Sequence, residues 1–124
     1  MNSTAIKQAR KAIESLYDST CTVIEYRQEK DPVTKKTVSK EVTVHQDKAC
    51  RLSYSSNKNA NQTESGNAIA QIIKVFISPN LDIKAGAKII ITGRGQTVEY
   101  KNSSVPAVYD THQEIVLELF KGWA

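Results

Sequence analysis

The 124-residue sequence is poor in cysteine, which excludes the disulfide frameworks that hold many small secreted domains together. It has two cysteines, Cys21 and Cys50. The first 18 residues lack the apolar core of a signal peptide, so we expect both cysteines to be buried thiols in a reducing cytosol. Their positions predict opposite faces of a regular sheet, and we therefore expect no disulfide between them.

Long hydrophobic runs and a large charge of one sign are also missing. The longest apolar stretch, residues 69–77, is interrupted by Gln71 and Lys74 and is much shorter than the roughly 20 residues of a membrane-spanning helix. Seventeen Lys and Arg oppose 13 Asp and Glu, and both signs occur throughout the chain. The net charge of +4 is therefore too dilute to indicate a dedicated nucleic-acid-binding arm.

Motifs for catalysis and for metal binding are absent from the sequence. No phosphate-binding loop signature is present, and Gly93-Arg94-Gly95 is typical of a hairpin turn. His45 and His112 lack the spacing to each other and to cysteine that zinc sites show, so we expect no metal or cofactor. His112 and Glu114 share one face of a predicted strand, which favours a surface contact over an acid–base pair. We expect that the protein is not an enzyme.

Hydrophobic periodicity predicts one helix followed by strands, within a single domain over residues 1–124. Apolar residues spaced by three and four predict an amphipathic helix in residues 1–18, which must pack on a sheet. Alternation with period two predicts a β-hairpin in residues 20–54, with turn chemistry at Asp31-Pro32 in its charged tip.

Residues 69–124 alternate between short apolar runs and turn residues and form a β-rich half. Gly86 suits a tight turn with positive φ, and the last strand is expected to place Ile115, Leu117 and Leu119 on one face. The predicted fold class is α+β, mainly β: a small antiparallel β-barrel or sandwich with one N-terminal amphipathic helix and a long flexible internal loop.

That loop, residues 55–68, contains no large apolar side chain and cannot offset its ordering entropy by burial. A loop of this length in a compact domain is either disordered or functional, and we interpret it as an internal flap and a first interface candidate. Its candidate contact residues are Asn57, Lys58, Asn59, Asn61, Gln62, Thr63 and Glu64. Lys35 and Lys36 in the hairpin tip are the second candidate, with solubility and protection of a sheet edge as the alternative.

A small β-barrel of mild positive charge is also compatible with an alternative function, the binding of single-stranded nucleic acid or of another protein. Such barrels stack bases on exposed aromatic rings in a basic groove. Most of the eight aromatic residues here are expected on core faces or at the C-terminus, which disfavours this alternative.

Several short motifs give the chain a resemblance to a known family. They are Ile77-Ser78-Pro79, Asp82-Ile83-x-x-Gly86, Val98-Glu99-Tyr100 and Tyr109-x-x-His112-x-Glu114-Ile115, together with the N-terminal helix and the hairpin sequence CTVIEYRQEKDPVTKKT. In this pattern, which spans nearly the whole chain, the sequence resembles head–tail connector proteins of tailed bacteriophages, in particular the head-closure (neck, minor capsid) proteins of PBSX-type defective prophages. None of the motifs is a catalytic signature.

The resemblance implies a structural role in virion assembly. Proteins of this family form a ring oligomer beneath the portal, retain packaged DNA and dock the tail, and their flexible loops become ordered on assembly. The implied partners are further copies of the chain, which would be monomeric when isolated, a portal or adaptor protein, and a tail-terminator or tail protein. Non-specific contact with packaged DNA is a further expectation, and membrane contact is not. The implied location is the bacterial host cytoplasm during assembly, and afterwards the neck of a virion or phage-like particle.

Overall fold

One helix and seven strands make up the part of the chain that a computed structural model describes, residues 3–58 and 69–123. Their bounds are α1 Ser3–Glu14, β1 Ser19–Lys30, β2 Thr37–Lys58, β3 Ile69–Ile77, β4 Lys88–Gly93, β5 Gln96–Asn102, β6 Ala107–Val108 and β7 Gln113–Leu119. No helix in these two ranges is long and apolar enough to cross a membrane.

The strands form a single antiparallel sheet in the order β3-β2-β1-β4-β5-β7-β6, and β3 also pairs with β7. This extra pairing gives the sheet a ring-like arrangement that is not a barrel. The predicted fold class, mainly antiparallel β with one N-terminal helix, is confirmed.

The core lies inside this arrangement and receives alternate residues from the strands around it. Val23, Val75, Ile77, Ile89 and Ile115 are fully buried. The last strand contributes Ile115 and Leu117 to the core, and Leu119 shares their face as predicted, because it pairs with the buried Tyr100, although its own side chain is 57% exposed. The pairing of β3 with β7 ends at Leu117, so none of the described strands lies beside Leu119 on that side.

Both cysteines are buried free thiols, and the prediction that they face opposite sides is wrong. The register pairs Ser19 with Cys50, so odd positions of β1 and even positions of β2 share the inner face at this end of the hairpin. Two register shifts follow between Cys21 and Ile24, where β2 supplies the extra residues, and Asp47 takes a positive φ of 50°. The hydrogen bond between the two thiols, with burial, raises the pKa of Cys21.

The turn between β4 and β5 explains the glycines around Arg94. Arg94 and Gly95 both have positive φ, 53° and 75°, as a two-residue hairpin turn that matches the strand twist requires. Gly93 is needed for a different reason, because a Cβ atom there would overlap the side chain of Ser19. Gly86 also adopts the predicted positive φ, at 84°.

Helix α1 packs less completely on the sheet than its apolar stripe predicts. None of its residues is buried, and Leu16 just after it is 58% exposed. The Arg10 Nε donates a hydrogen bond of 2.7 Å to the backbone oxygen of Asp110, which joins the helix to the turn before β7. The partly covered stripe and this bond hold α1 on the outside of the sheet.

Strand β2 continues four residues into the segment that the sequence predicts as a loop. Asn57 pairs with Ala70 and Lys58 with Ile69, so residues 55–58 are strand. Main-chain hydrogen bonds hold these positions and require no apolar side chain, which is why composition misplaced the boundary. The rest of the predicted loop, residues 59–68, lies outside the described residues.

Candidate interface

The β1–β2 hairpin extends beyond the sheet as a two-stranded arm, which we call the hairpin arm (residues 25–42). Pairing of β1 with β4 ends at Ile24, and pairing of β2 with β3 begins only at Cys50. Between these limits the two strands bond to each other alone. The arm therefore has two unpaired edges within the described structure, and its six paired positions span about 20 Å.

The arm tip (residues 30–36) is an ordered turn organised by Asp31. Its backbone N–H donates to the Lys36 oxygen and its backbone oxygen accepts from the Lys35 N–H, both at 2.8 Å. Its carboxylate accepts hydrogen bonds from the N–H groups of Val33, at 2.8 Å, and Thr34, at 3.3 Å. These backbone donors lower the pKa of Asp31. The turn that Asp31-Pro32 predicts is thus present.

Charges on the arm are sorted along its length. On the rest of the arm, which we call the shaft (residues 25–29 and 37–42), Arg27 contacts Glu25 at 2.9 Å and Lys40 contacts Glu29 at 2.8 Å, so each of these carboxylates has a cation beside it. At the tip, three exposed lysines form no ion pair with any residue in 3–58 or 69–123; they are Lys30, Lys35 and Lys36. With Asp31 as the tip's single acid, three minus one leaves a net charge of +2.

Where the arm leaves the sheet, its base is held by residues that we call the root cluster: Tyr26, Glu41, Lys88, Glu99, Phe120 and Trp123. The Trp123 ring stacks on Tyr26 with 4.9 Å between centroids and an interplanar angle of 13°. Its indole N–H donates to Glu41, at 3.1 Å, and Phe120 meets its ring edge-on at 4.9 Å. Tyr26 and Glu41 are partners across the β1–β2 ladder, so Trp123 contacts both strands of the arm.

Lys88 is the charged centre of the root cluster. Its ammonium lies 2.7 Å from Glu41 and 3.4 Å from Glu99, and 4.7 Å from the centroid of the Phe120 ring. Its side chain is only 10% exposed. The hydrogen bond to Glu41 raises the pKa of Lys88 despite the opposing effect of burial, and the same bond lowers the pKa of Glu41. Because Glu41 lies on the arm and Lys88 on β4, this pair joins the arm to the sheet.

The two sequence-predicted interface segments lie far apart on one strand. Lys35 and Lys36 are at the tip, next to the start of β2, whereas Asn57 and Lys58 are its last two residues. The remaining candidates lie outside the described residues: Asn59, Asn61, Gln62, Thr63 and Glu64. The described segments therefore sit at opposite ends of a 22-residue strand.

A second polar cluster lies at the start of β7. The His112 Nε2 is 2.9 Å from one Glu114 oxygen, and the Lys74 ammonium on β3 is 3.4 Å from the other. These contacts lower the pKa of Glu114, chiefly through His112. Tyr109 stacks on the His112 ring at 5.0 Å. Both carboxylate oxygens are thus engaged, as in a surface contact, and among the described residues no group of three or more His, Cys, Asp or Glu side chains is placed to hold a metal.

Sequence reasoning missed the root cluster, and three of the eight aromatic residues are more exposed than a core face implies. Tyr26, Tyr54 and Tyr109 are each about half exposed, whereas Tyr100 is buried in the core. Tyr26 is an even position of β1 and lies on the face opposite to the buried Cys21 and Val23, where it stacks on Trp123 outside the core. The one tryptophan was the available signal for the cluster, although nothing in its sequence neighbourhood identifies Tyr26 as its partner.

Comparison with known proteins gives one structural likeness. No protein-family model matches the chain, and no curated protein matches it. Among solved structures, the phage-like element PBSX protein xkdH from Bacillus subtilis is similar over 83% of this chain and 92% of that chain, with 13% sequence identity and a TM-score of 0.46. A likeness at this level concerns only the general course of the chain.

Proposed function

We propose that this chain is a non-enzymatic structural protein of a phage or prophage particle. In this proposal, copies of the chain form a ring at the connection between head and tail, retain the packaged DNA, and present a surface to the tail. A portal or adaptor protein lies on one side of the ring and a tail-terminator or tail protein on the other. Assembly takes place in the bacterial host cytoplasm and ends in the particle neck.

The observation that carries the proposal is the geometry of β2. Its first part forms an arm with two unpaired edges, and its last residues lead into the predicted flap at the opposite end. A subunit in a ring needs two different contact surfaces that face successive neighbours, since head-to-tail contacts close a ring when the rotation closes. Unpaired strand edges and a flap can supply such contacts through main-chain hydrogen bonds. The sequence resemblance to head-closure proteins supports the same role.

A deletion of residues 59–66 tests the proposal in the particle. It starts at residue 59 because residues 55–58 belong to β2 and their loss would damage the ladder with β3. We expect a folded monomer, since the strands of the described residues supply an apolar core, but particles that lose DNA or fail to join tails. The matched control replaces the same eight residues by a Gly/Ser linker of equal length, which keeps the connection and removes the side chains.

The readout is electron microscopy and protein composition of particles purified from the bacterium that encodes the chain. We expect the wild-type chain at the neck and the deleted chain either absent or present in tailless particles, whereas the linker variant, which keeps the main-chain donors and acceptors, should still be found at the neck. Particles that contain no copy of the wild-type chain, or deletion particles with full heads and joined tails, would contradict the proposal.

A further inference from the structure

The arm tip carries an excess of positive charge, whereas the carboxylates on the rest of the arm have cations beside them. Shaft carboxylates Glu25, Glu29 and Glu41 each have a cation beside them, the last of these being Lys88 of the sheet, so no shaft carboxylate is left without an ion pair. The tip keeps Lys30, Lys35 and Lys36 unpaired within the described residues, and all three are exposed. Placing like charges together is unfavourable unless an anion is brought to them.

A second copy of this chain does not offer a matching acidic surface in its described part. Seven of its carboxylates already form ion pairs; they are Asp18, Glu25, Glu29, Glu41, Glu99, Glu114 and Glu118. None of the others within residues 3–58 and 69–123 belongs to a group of three or more side chains that could hold a cation such as a metal ion. We therefore look for the anion that complements the tip outside the described part of the chain.

The turn holds the tip lysines in place before any partner binds. Four hydrogen bonds centred on Asp31 order the backbone, so the lysines lose little backbone freedom on binding. Lys35 has a positive φ of 57°, a conformation that glycine and asparagine adopt more readily. A lysine at an unfavourable backbone position points to a role for its side chain.

The shape of the arm favours nucleic acid as the anion. A two-stranded antiparallel ribbon fits the major groove of duplex DNA, where phosphates lie on both sides of the inserted tip. Phosphates recur regularly along DNA and can meet several lysines at once without base recognition. We propose that the arm tip binds the phosphate backbone of duplex DNA through Lys30, Lys35 and Lys36. The inference deepens the proposed function, because a ring at the head–tail connection would meet packaged DNA.

The test measures binding of the isolated full chain to fluorescently labelled duplex DNA of arbitrary sequence over a range of salt concentrations. The variant Lys30→Gln/Lys35→Gln/Lys36→Gln removes the three tip charges. Its control, Lys7→Gln/Lys11→Gln/Lys84→Gln, removes three exposed lysines that form no ion pair with described residues and lie outside the arm. If three phosphate contacts are lost, the negative slope of log K against log salt becomes less steep by about 2.7 in the tip variant. The affinity at low salt should become weaker by a factor of roughly ten or more. The control should change neither quantity by a comparable amount.

The single substitution Lys35→Asn separates a role in binding from a role in folding. Asparagine tolerates positive φ, so we expect a melting temperature at or above that of the wild type. The slope of log K against log salt should become less steep by about one, because one phosphate contact is lost. A tip variant that keeps the wild-type slope would overturn the inference. So would equally tight binding of a polyglutamate peptide, which would indicate an acidic protein partner, or a preference for single-stranded DNA. Because the assay contains no particle, its failure leaves the proposed assembly role standing, and failure of the particle experiment leaves the DNA result standing.

Discussion

The sole tryptophan gives a direct test of how the hairpin arm is fixed to the sheet. In the root cluster, Trp123 lies between Tyr26 on the arm and Phe120 beyond β7, and Lys88 approaches its ring at 5.7 Å. The substitution Trp123→Ala removes all these contacts at once. We expect it to loosen the base of the arm and to lower the free energy of unfolding.

The size of the loss follows from the contacts removed. Each of the two aromatic pairs contributes about 0.5–1.5 kcal/mol beyond area burial. The approach of Lys88 to the indole contributes about 0.5 kcal/mol at a partly exposed site. Since Trp123 remains partly exposed, we expect a total loss of about 2 kcal/mol. With an unfolding entropy of about 2.1 cal/mol/K per residue, a chain of this length would melt about 8 °C lower.

Urea unfolding followed by circular dichroism measures the global loss, and hydrogen exchange followed by mass spectrometry locates it. We expect faster exchange of the amides in the arm, because Trp123 contacts both of its strands through Tyr26 and Glu41. Val105→Ala is the control, since Val105 is 83% exposed and should cost less than about 0.5 kcal/mol. A Trp123→Ala variant no less stable than this control, with unchanged exchange in the arm, would refute the role of the cluster.

Two further predictions concern the sheet and its polar cluster. Gly93→Ala should destabilise the fold by about 1–3 kcal/mol in urea unfolding, because the added methyl group overlaps Ser19, whereas Gly95→Asn, with open space and a positive φ that asparagine tolerates, should cost less. Equal losses would contradict this reasoning. The lowered pKa of Glu114 means that its contribution to stability is present above the ordinary glutamate pKa and is lost as the pH falls through the lower folded-state value. Glu114→Gln should therefore flatten the decline in unfolding free energy below about pH 5, and an unchanged pH profile would show that the contact with His112 is not stabilising.

The parts of the fold that depend on local signals could be predicted from the sequence. Alternation with period two and the Asp31-Pro32 turn predict the hairpin, and the structure has its strands at Ser19–Lys30 and Thr37–Lys58. The turn at Arg94 was equally accessible, because its flanking glycines and the alternating strands on either side are neighbours in sequence. Each of these features involves residues that are close in the chain.

Features that depend on register were not accessible in the same way. The faces of Cys21 and Cys50 depend on which residues pair across the hairpin: odd positions of β1 pair with even positions of β2 at the tip and again at Ser19, because the two β-bulges together shift the pairing by two residues. Parity along each strand gives the alternation of faces but not the match between strands. The exposure of Leu119 depends likewise on where β3 stops pairing with β7.

The candidate interface shows the same division between local and distant information. The charge of Lys35 and Lys36 was visible in the sequence, but the projection of the arm depends on the end of β4, which lies more than fifty residues further along the chain. The root cluster brings together residues from β1, β2, β4, β5 and the segment after β7. Only the folded sheet places them side by side.

Projection and charge of the arm have one physical origin. Beyond Val23, the β1 positions that would continue the inner face are Glu25, Arg27 and Glu29, which cannot enter an apolar core without a large desolvation cost. The arm must therefore lie in solvent, and its shaft ion pairs are sufficient to keep it soluble there and to protect its edges from non-specific pairing. Solubility does not explain why the tip carries three lysines against one aspartate, nor why Lys35 holds a backbone conformation that asparagine would adopt more easily. The net positive charge of the tip, rather than the charge of the arm as a whole, is therefore the feature of this surface that a binding partner would explain.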